Sequence, residues 1–402
     1  MKIGVYFGRN IIGGALSGGA FTFTQSILEA LKKYTGKHSF VVFSDDCKNQ
    51  KIGNINVVKL NRYYSDKSEF FLKRIFLKIP RKIKKLKLEK KYFNALNKAV
   101  IDQNIELMWF ATPAYEFVQI PFIYTVWDIA HRLNPCFPEV SFEGCSFENR
   151  EKLYNKTIPR ATYVVIGNEA GKKSLIESYS ISENRIKAIP LPVSDLFLNS
   201  QKEKVDIKHK YNISGNYLFY PAQFWPHKNH ILILMALKIL EEKYNLDFDV
   251  VFTGSDKGNL DYIKQKTKEL NLENKVHFLN FVPVEDIIVF YKNAFALVFP
   301  TFFGPDNIPP LEAFALSCPV IASNIDGAQY QLDDAALLFD PKSEFDLAEK
   351  ITKLYDDKEL KNILVQKGLQ RVEQMTSNCY LNKIEKIIDE FGSIRRCWSS
   401  EK

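Results

Sequence analysis

Short apolar runs of strand type alternate with helical patterns through almost the whole chain, and that alternation leaves few folds open. Runs at residues 2–7, 40–43, 55–60, 107–110, 122–126, 163–166 and 186–189 form one series; runs at 217–220, 250–253, 276–279, 295–299 and 320–322 form a second. Strands that are apolar throughout, rather than at every second residue, are covered on both faces, and the intervening helices supply the cover. The pattern predicts an α/β protein with two parallel sheets. Between the series, residues 190–215 open with Pro190-Leu191-Pro192 and turn polar and lysine-rich, as a hinge between separately packed domains should. The expected domains are 1–195 and 196–377, followed by a C-terminal helix, 378–402, free to return to the N-terminal domain.

A chain of 402 residues, 46% hydrophobic and 25% charged, has material for two cores and therefore for a cleft between them. Its net charge of +8 favours an anionic partner without choosing among nucleotide, polyphosphate and lipid headgroup. Six cysteines (Cys47, Cys136, Cys145, Cys318, Cys379 and Cys397) are scattered, with no zinc-ligand spacing, and read as reduced thiols. The opening MKIGVYFG lacks the basic and apolar regions of a signal peptide, and no apolar run approaches the roughly 20 residues of a membrane helix. A cytoplasmic protein is expected.

The densest chemistry lies in residues 300–327, PTFFGPDNIPPLEAFALSCPVIASNIDG, where a buried strand leads through a Gly/Pro/Asn loop into a short helix carrying Glu312. Pro309 and Pro310 open that helix, and its N-terminal N–H groups and dipole are expected to face an anion. A second strand–loop–helix unit starts at 217–220 and passes Gln223, His227 and Lys228, with Asn229 as expected N-cap; a lysine there is placed to neutralise a diphosphate. The first strand opens into Gly13-Gly14 and Gly18-Gly19, which let backbone approach a phosphate or sugar. After the strand at 122–126, Asp128, His131 and Arg132 fall at a carboxyl edge, where open α/β sheets bind ligands. Asp128 is expected to accept from a sugar hydroxyl and His131 to donate to a phosphate or acceptor. Each feature alone also has a bland reading, as an exposed loop or a structural histidine. Finally, residues 70–91 carry ten Lys/Arg opposite an apolar stripe, which suits an anionic membrane surface or an ordinary solvated helix face.

Together these segments resemble the retaining glycosyltransferases of family 4, whose GT-B fold sets two Rossmann-like parallel-sheet domains face to face across a cleft. The resemblance is strongest over 217–351 and most specific in 300–327 and 335–341. It implies a nucleotide-sugar donor in the C-terminal domain, an acceptor held mainly by the N-terminal domain, and no metal or other cofactor. By motif, Glu312 corresponds to the carboxylate on the ribose hydroxyls and Lys228 to the lysine on the diphosphate. Asn307 and Ile308 correspond to the loop whose amides face sugar and phosphates, Gly18 and Gly19 to the glycine pair under the diphosphate, and Asp128 and His131 to the acceptor wall. Three positions depart from the family: Gly304 replaces a second glutamate, leaving Asp306 as the nearby carboxylate; Gln223 replaces an arginine; and Trp127 replaces a histidine.

The implied reaction moves a sugar, mannose or another hexose, to a glycan or lipid-linked glycan in bacterial surface polysaccharide synthesis, with the enzyme peripheral at the inner membrane face. No nucleic-acid partner is expected. The competing readings are a GT-B nucleotide-sugar epimerase, which would need acid/base carboxylates and histidines around the sugar, and a basic membrane- or polyanion-binding protein without catalysis.

Overall fold

The computed structural model describes residues 1–8, 19–45, 49–60, 95–141, 147–200 and 205–399. Gly13, Gly14, Gly18 and the basic stretch 70–91 lie outside the described residues.

The first sheet contains β1 (Lys2–Tyr6), β2 (Ser39–Ser44), β3 (Gln50–Ile52), β4 (Ile55–Lys59), β5 (Leu107–Phe110), β6 (Phe122–Thr125), β7 (Tyr163–Ile166) and β8 (Ile186–Ala188). Their order is β3-β4-β2-β1-β5-β6-β7-β8, parallel except for the β3–β4 hairpin. The second sheet, β11-β10-β9-β12-β13-β14, is wholly parallel: β9 (Tyr217–Pro221), β10 (Asp249–Thr253), β11 (Val276–Leu279), β12 (Ala296–Phe299), β13 (Val320–Ser323) and β14 (Ala336–Phe339). Each sheet starts in its middle, adds strands to one side, then crosses to the other. The crossing creates a crevice beyond the strand ends, between β1 and β5 in one domain and between β9 and β12 in the other.

The helices that bear on the site are α1 (Gly19–Lys33), α2 (Ala130–Leu133), α3 (Pro138–Ser141), α4 (Phe147–Thr157) and α5 (Glu169–Tyr179) in the first domain. In the second they are α6 (His230–Tyr244), α7 (Val284–Asn293), α8 (Ile308–Ala315) and α9 (Ala328–Leu332), and α10 (Ser377–Arg395) closes the fold. The N-terminal core lies on both faces of its sheet. One layer includes Phe23, Ile27 and Leu31 of α1; the other includes Tyr154 and Leu175 of α4 and α5.

The C-terminal helix belongs physically to the first domain. Thr376 caps it, its hydroxyl accepting from Cys379 N at 3.1 Å. Tyr380, Leu381, Ile384, Ile387, Ile388 and Phe391 recur at helical spacing and bury in the same cluster as α1. At roughly 1.5–3 kcal/mol per buried apolar side chain, this stripe outweighs the flanking pair Lys187–Glu390, which as a surface ion pair contributes about 0.2–1 kcal/mol. The chain therefore crosses between domains twice. The two crossings lie side by side, Val193 N donating to Met375 O at 2.8 Å.

Candidate active site

Lys228 sits where the second sheet reverses its strand order. It ends a 3-10 turn, Pro226–Lys228, separated from β9 by four residues, and its Nζ lies 5.1 Å from the ring centre of Phe299, the last residue of β12. Three bonds fix the turn: Tyr220 Oη donates to Lys228 O at 2.8 Å, Phe302 N to His227 O at 2.9 Å, and Asn229 Nδ2 to Pro341 O at 2.9 Å. Asn229 thus does not cap α6 with its side chain as expected. It adopts a left-handed φ of 53° and ties the turn to two neighbouring loops instead, accepting no capping bond. Among the described residues Lys228 forms no ion pair, and desolvation pulls its ammonium down to about 8 despite the opposing fields of Asp128 and Glu139. Lys228 is thus a partly exposed cation set over an aromatic ring, with no carboxylate paired to it among the described residues.

Glu312 lies on α8, which follows β12. It is 8% exposed, accepts from Tyr291 Oη of α7 at 2.9 Å, and is raised to about 7 by burial against the lowering effect of that bond. Its first turn offers less to an anion than expected. Of Ile308, Pro309 and Pro310, the first three helical positions, two have no N–H, leaving Ile308 as the donor. Asn307 N is not free either: it donates to Gln331 Oε1 of α9 at 3.0 Å, while Gln331 Nε2 donates to Asn307 O at 2.7 Å. Ile308 itself is buried with the N-terminal cluster, and a Cβ at Gly19 would stand 3.7 Å from Ile308 Cδ1. The two helix starts, α1 and α8, therefore face each other across the cleft.

Asp306 is not the donor-facing carboxylate the sequence suggested. Its Oδ2 accepts from Leu191 N at 2.7 Å, its Oδ1 from Gln331 Nε2, and Gly167 packs so closely that a Cβ there would meet Oδ2 at 2.5 Å. Burial raises it to about 7. Beside it Asn168 Nδ2 donates to Pro305 O, so this loop latches the two domains together. Gly304 has φ +122°, and a Cβ would meet Asn307 Oδ1 at 2.8 Å; a glutamate here would strain the backbone and displace the Asn307 side chain. Gln223 donates to Ser255 Oγ at 3.2 Å and accepts from Trp225 Nε1 at 3.1 Å.

His131 also departs from expectation. It is 0% exposed, its Nε2 is 2.7 Å from Glu151 Oε1, and burial lowers its pKa. Arg132 grips the same carboxylate through Nε (2.7 Å) and Nη2 (2.5 Å), and Tyr179 Oη donates to it at 2.9 Å. Glu151 is held at about 2, first by Arg132. Arg132, Tyr179 and His131 Nε2 thus fill the Glu151 carboxylate inside the first domain, while His131 Nδ1 is buried without a hydrogen-bond partner among the described residues. Asp128 stays closer to the cleft. Its Oδ1 accepts from Arg150 Nη2 at 2.6 Å and Ala130 N at 2.8 Å, its side chain is 32% exposed, and its field reaches Lys228.

One residue of the site had no signal in the sequence. Glu139 of α3 crosses the cleft, its Oε1 accepting from His227 N at 2.9 Å and from His227 Nδ1. Burial works to raise the carboxyl, but the bonds from His227 outweigh it and hold it below its ordinary value; burial brings His227 down to about 4. The pair is therefore carboxylate and neutral imidazole. An aromatic seam encloses it: His227 stacks on Phe303 at 4.0 Å, and Phe137 lies 5.5 Å from Phe302 and 5.4 Å from Phe303. A surface groove of about 780 Å³ between β8 and α10 lies apart from this chemistry.

Residues 201–371 match the family model of the glycosyl transferases group 1. O-antigen chain mannosyltransferase B of Escherichia coli is 24% identical over 232 residues, 57% of this chain and 61% of that protein. O-antigen chain mannosyltransferase RfbU of Salmonella typhimurium is 29% identical over 195 residues, 48% and 50% of the two chains. The match thus spans half to three-fifths of these relatives. Among solved structures, a sucrose-phosphate synthase from Thermosynechococcus elongatus superposes with a TM-score of 0.73 at 17% identity, covering 98% of this chain and 100% of that one. That likeness shows the fold, two Rossmann-like domains in the GT-B arrangement.

Proposed function

We propose, from the premise that residues 201–371 are a group 1 glycosyl transferase domain, that this protein is a retaining glycosyltransferase. It moves a hexose, mannose in the first instance, from a nucleotide-sugar to a glycan or lipid-linked glycan of a bacterial surface polysaccharide. The observation that carries this reading is Lys228, an unpaired, desolvated cation at the β9–β12 switch point with Glu312 on the helix after β12.

The chemistry follows from those positions. Glu312, ionised, accepts from the ribose hydroxyls, and Lys228 binds the diphosphate. As the bond from the anomeric carbon to the phosphate oxygen breaks, negative charge grows on the phosphate, and an ammonium already partly withdrawn from water stabilises it with little reorganisation of solvent. The acceptor oxygen bonds to the anomeric carbon from the same face, and its proton passes to the departing phosphate oxygen. Ile308 N–H, the one first-turn donor of α8, adds to that stabilisation. Lys228 and Ile308 N–H carry the charge in this scheme, so we propose that the reaction runs without metal.

No helix among the described residues is long and apolar enough to cross a membrane; a lipid-linked acceptor would be met by peripheral contact, for which residues 70–91 are the proposed surface. Glu139 and His227 are a carboxylate–histidine couple of the kind an epimerase needs. Bonded to each other, however, they leave no acid and base for opposite faces of one sugar.

The test is nucleotide release from a panel of UDP- and GDP-sugars, with and without lipid-diphosphate acceptors and EDTA, for the wild type, Lys228→Ala and Glu312→Ala. EDTA-resistant release of one nucleotide, lost in both variants, is expected. Interconversion of sugars without release would replace the reading by epimerisation, and neither activity with any donor would remove it.

A further inference from the structure

The proposed function uses Lys228 and Glu312 but leaves Glu139 without a task, and Glu139 is in a state that needs one. Its Oε1 is fully engaged by two donors from His227, whereas its Oε2 is buried and has no hydrogen-bond partner among the described residues. An ionised carboxylate has acceptor sites on both oxygens, and leaving one buried and unmet is costly. Native proteins keep such groups where something else completes them.

The surroundings limit what that something is. A phosphate is excluded, because Glu139 is held as an anion and like charges repel strongly when water is scarce. A cation is already at hand in Lys228, one residue beyond His227, yet the two form no ion pair. What remains is a neutral donor. Among the other carboxylates of this region, Asp306 is engaged on both oxygens by Leu191 and Gln331, and Asp128, held at Oδ1 by Arg150 and Ala130 N, is 32% exposed, so its second oxygen is not under the same demand as the buried Oε2 of Glu139. The loop offers none at Gly304.

We infer that Glu139 Oε2 is a sugar-hydroxyl binding group, contributed by the N-terminal domain and assembled only when α3 meets the turn Pro226–Lys228. The inference rests on the proposed transferase reading, since that reading brings a sugar to Lys228. The hydroxyl belongs either to the donor sugar or to the acceptor. His227 N–H and Nδ1–H fix the carboxylate's orientation, so the hydroxyl position is set by the same turn that carries Lys228. Recognition of this kind discriminates sharply, because a ligand lacking the hydroxyl leaves a buried anion unpaired.

The experiment compares wild type with Glu139→Gln, whose amide oxygen can still accept from His227 while the second position loses its charge. Affinity for the free nucleoside diphosphate, read at about pH 6.5 where Lys228 keeps its proton even without the supporting field of Glu139, is expected to stay within about threefold. If the hydroxyl is the donor's, affinity for the nucleotide-sugar relative to the nucleoside diphosphate falls about ten- to hundredfold, as for the loss of one hydrogen bond to a charged group. If it is the acceptor's, the acceptor KM rises by that factor at saturating donor. In either case deoxy analogues identify the position, since the variant no longer distinguishes them from the parent sugar. The inference is overturned if both quantities stay within twofold of wild type. It is equally overturned if nucleoside diphosphate and nucleotide-sugar weaken in parallel, the mark of a residue that only holds the domains together. A wild type that turns over normally beside an unchanged variant removes this inference alone. A wild type that neither binds nor cleaves any nucleotide-sugar removes the parent reading with it.

Discussion

Lys228 and Arg132 both follow a buried parallel strand at its carboxyl end, one in each domain, and they live in opposite electrostatic conditions. Arg132 has a two-pronged grip on Glu151, which also receives Tyr179 Oη and His131, so both charges and both carboxylate oxygens of that cluster are answered, although His131 Nδ1 is not. Lys228 has an aromatic ring beneath it and no carboxylate in contact. Position at a sheet edge is shared, so position does not decide which residue is functional. What separates them is saturation: a satisfied cluster contributes stability, whereas an unsatisfied cation lowers stability and gains binding.

The sharpest way to break this contrast is substitution at both ends. Lys228→Ala is expected to lower turnover by on the order of 10³, somewhat above the loss of a single neutral oxyanion donor, without lowering the melting temperature at pH 7, since it removes a desolvated, unpaired charge. Glu151→Gln is expected to do the reverse. It should cost about 3 kcal/mol, the linkage value for a carboxyl depressed from 4.5 to about 2, and leave kcat within about threefold. Because the folded value is depressed, that stability is present above pH 4.5 and is lost as pH falls toward 2. Acid unfolding of the wild type and variant should converge in that window. A Lys228→Ala protein that melts much earlier, or a Glu151→Gln protein that is stable but inactive, would invert the assignment.

A pH profile sharpens the contrast further. Lys228 is lowered to about 8 and Glu312 raised to about 7, both first by desolvation. Donor affinity in the free enzyme should therefore weaken below about 7, as Glu312 is protonated and ceases to accept from ribose, and again above about 8, as Lys228 loses its charge. Glu312→Gln should abolish the acidic limb and keep the alkaline one, measured by nucleoside diphosphate titration from pH 6 to 9. An acidic limb surviving in Glu312→Gln would point to Asp306, which is also raised to about 7 by burial and holds the interdomain latch.

Which of these features could be read from the chain depends on how far apart their causes lie. The parallel strands were legible because burial on both faces makes each a local apolar run, as in 217–221 and 320–323. The antiparallel β3 was not: Gln50, Lys51 and Ile52 carry no strand pattern and pair with β4 through a tight turn at Gly53, whose φ is +56°. Lys228 and Glu312 were singled out through motif, and the fold sets both beyond the carboxyl ends of β9 and β12. His131 was misjudged because its partners, Glu151 and Tyr179, stand 20 and 48 residues away, and saturation is a property of the assembled fold. Glu139 was missed for the same reason, since its partner His227 is 88 residues distant in the other domain. The missing N–H groups of Pro309 and Pro310, by contrast, are plain in the sequence and limit the anion-binding reading of that helix without any coordinates.

The smallest expected effect concerns Gln223, the position where the resemblance places an arginine. Gln223→Arg would add a fixed cation to a loop whose only answer to a diphosphate is Lys228, and nucleoside diphosphate affinity at pH 7 and low salt should tighten about three- to tenfold, with a steeper salt dependence. The gain is bounded by two losses. Arginine cannot accept from Trp225 Nε1 as Gln223 Oε1 does at 3.1 Å, and a second positive charge lowers Lys228 below its present value, moving the alkaline limb of the binding profile to lower pH. The affinity ratio of variant to wild type should therefore rise less at pH 8.5 than the added charge alone would give, and the midpoint of the alkaline limb should fall. An unchanged midpoint beside tighter binding would show that residue 223 reaches the diphosphate from outside the field of Lys228. An unchanged affinity would mean that Lys228 alone sets the electrostatics of the crevice.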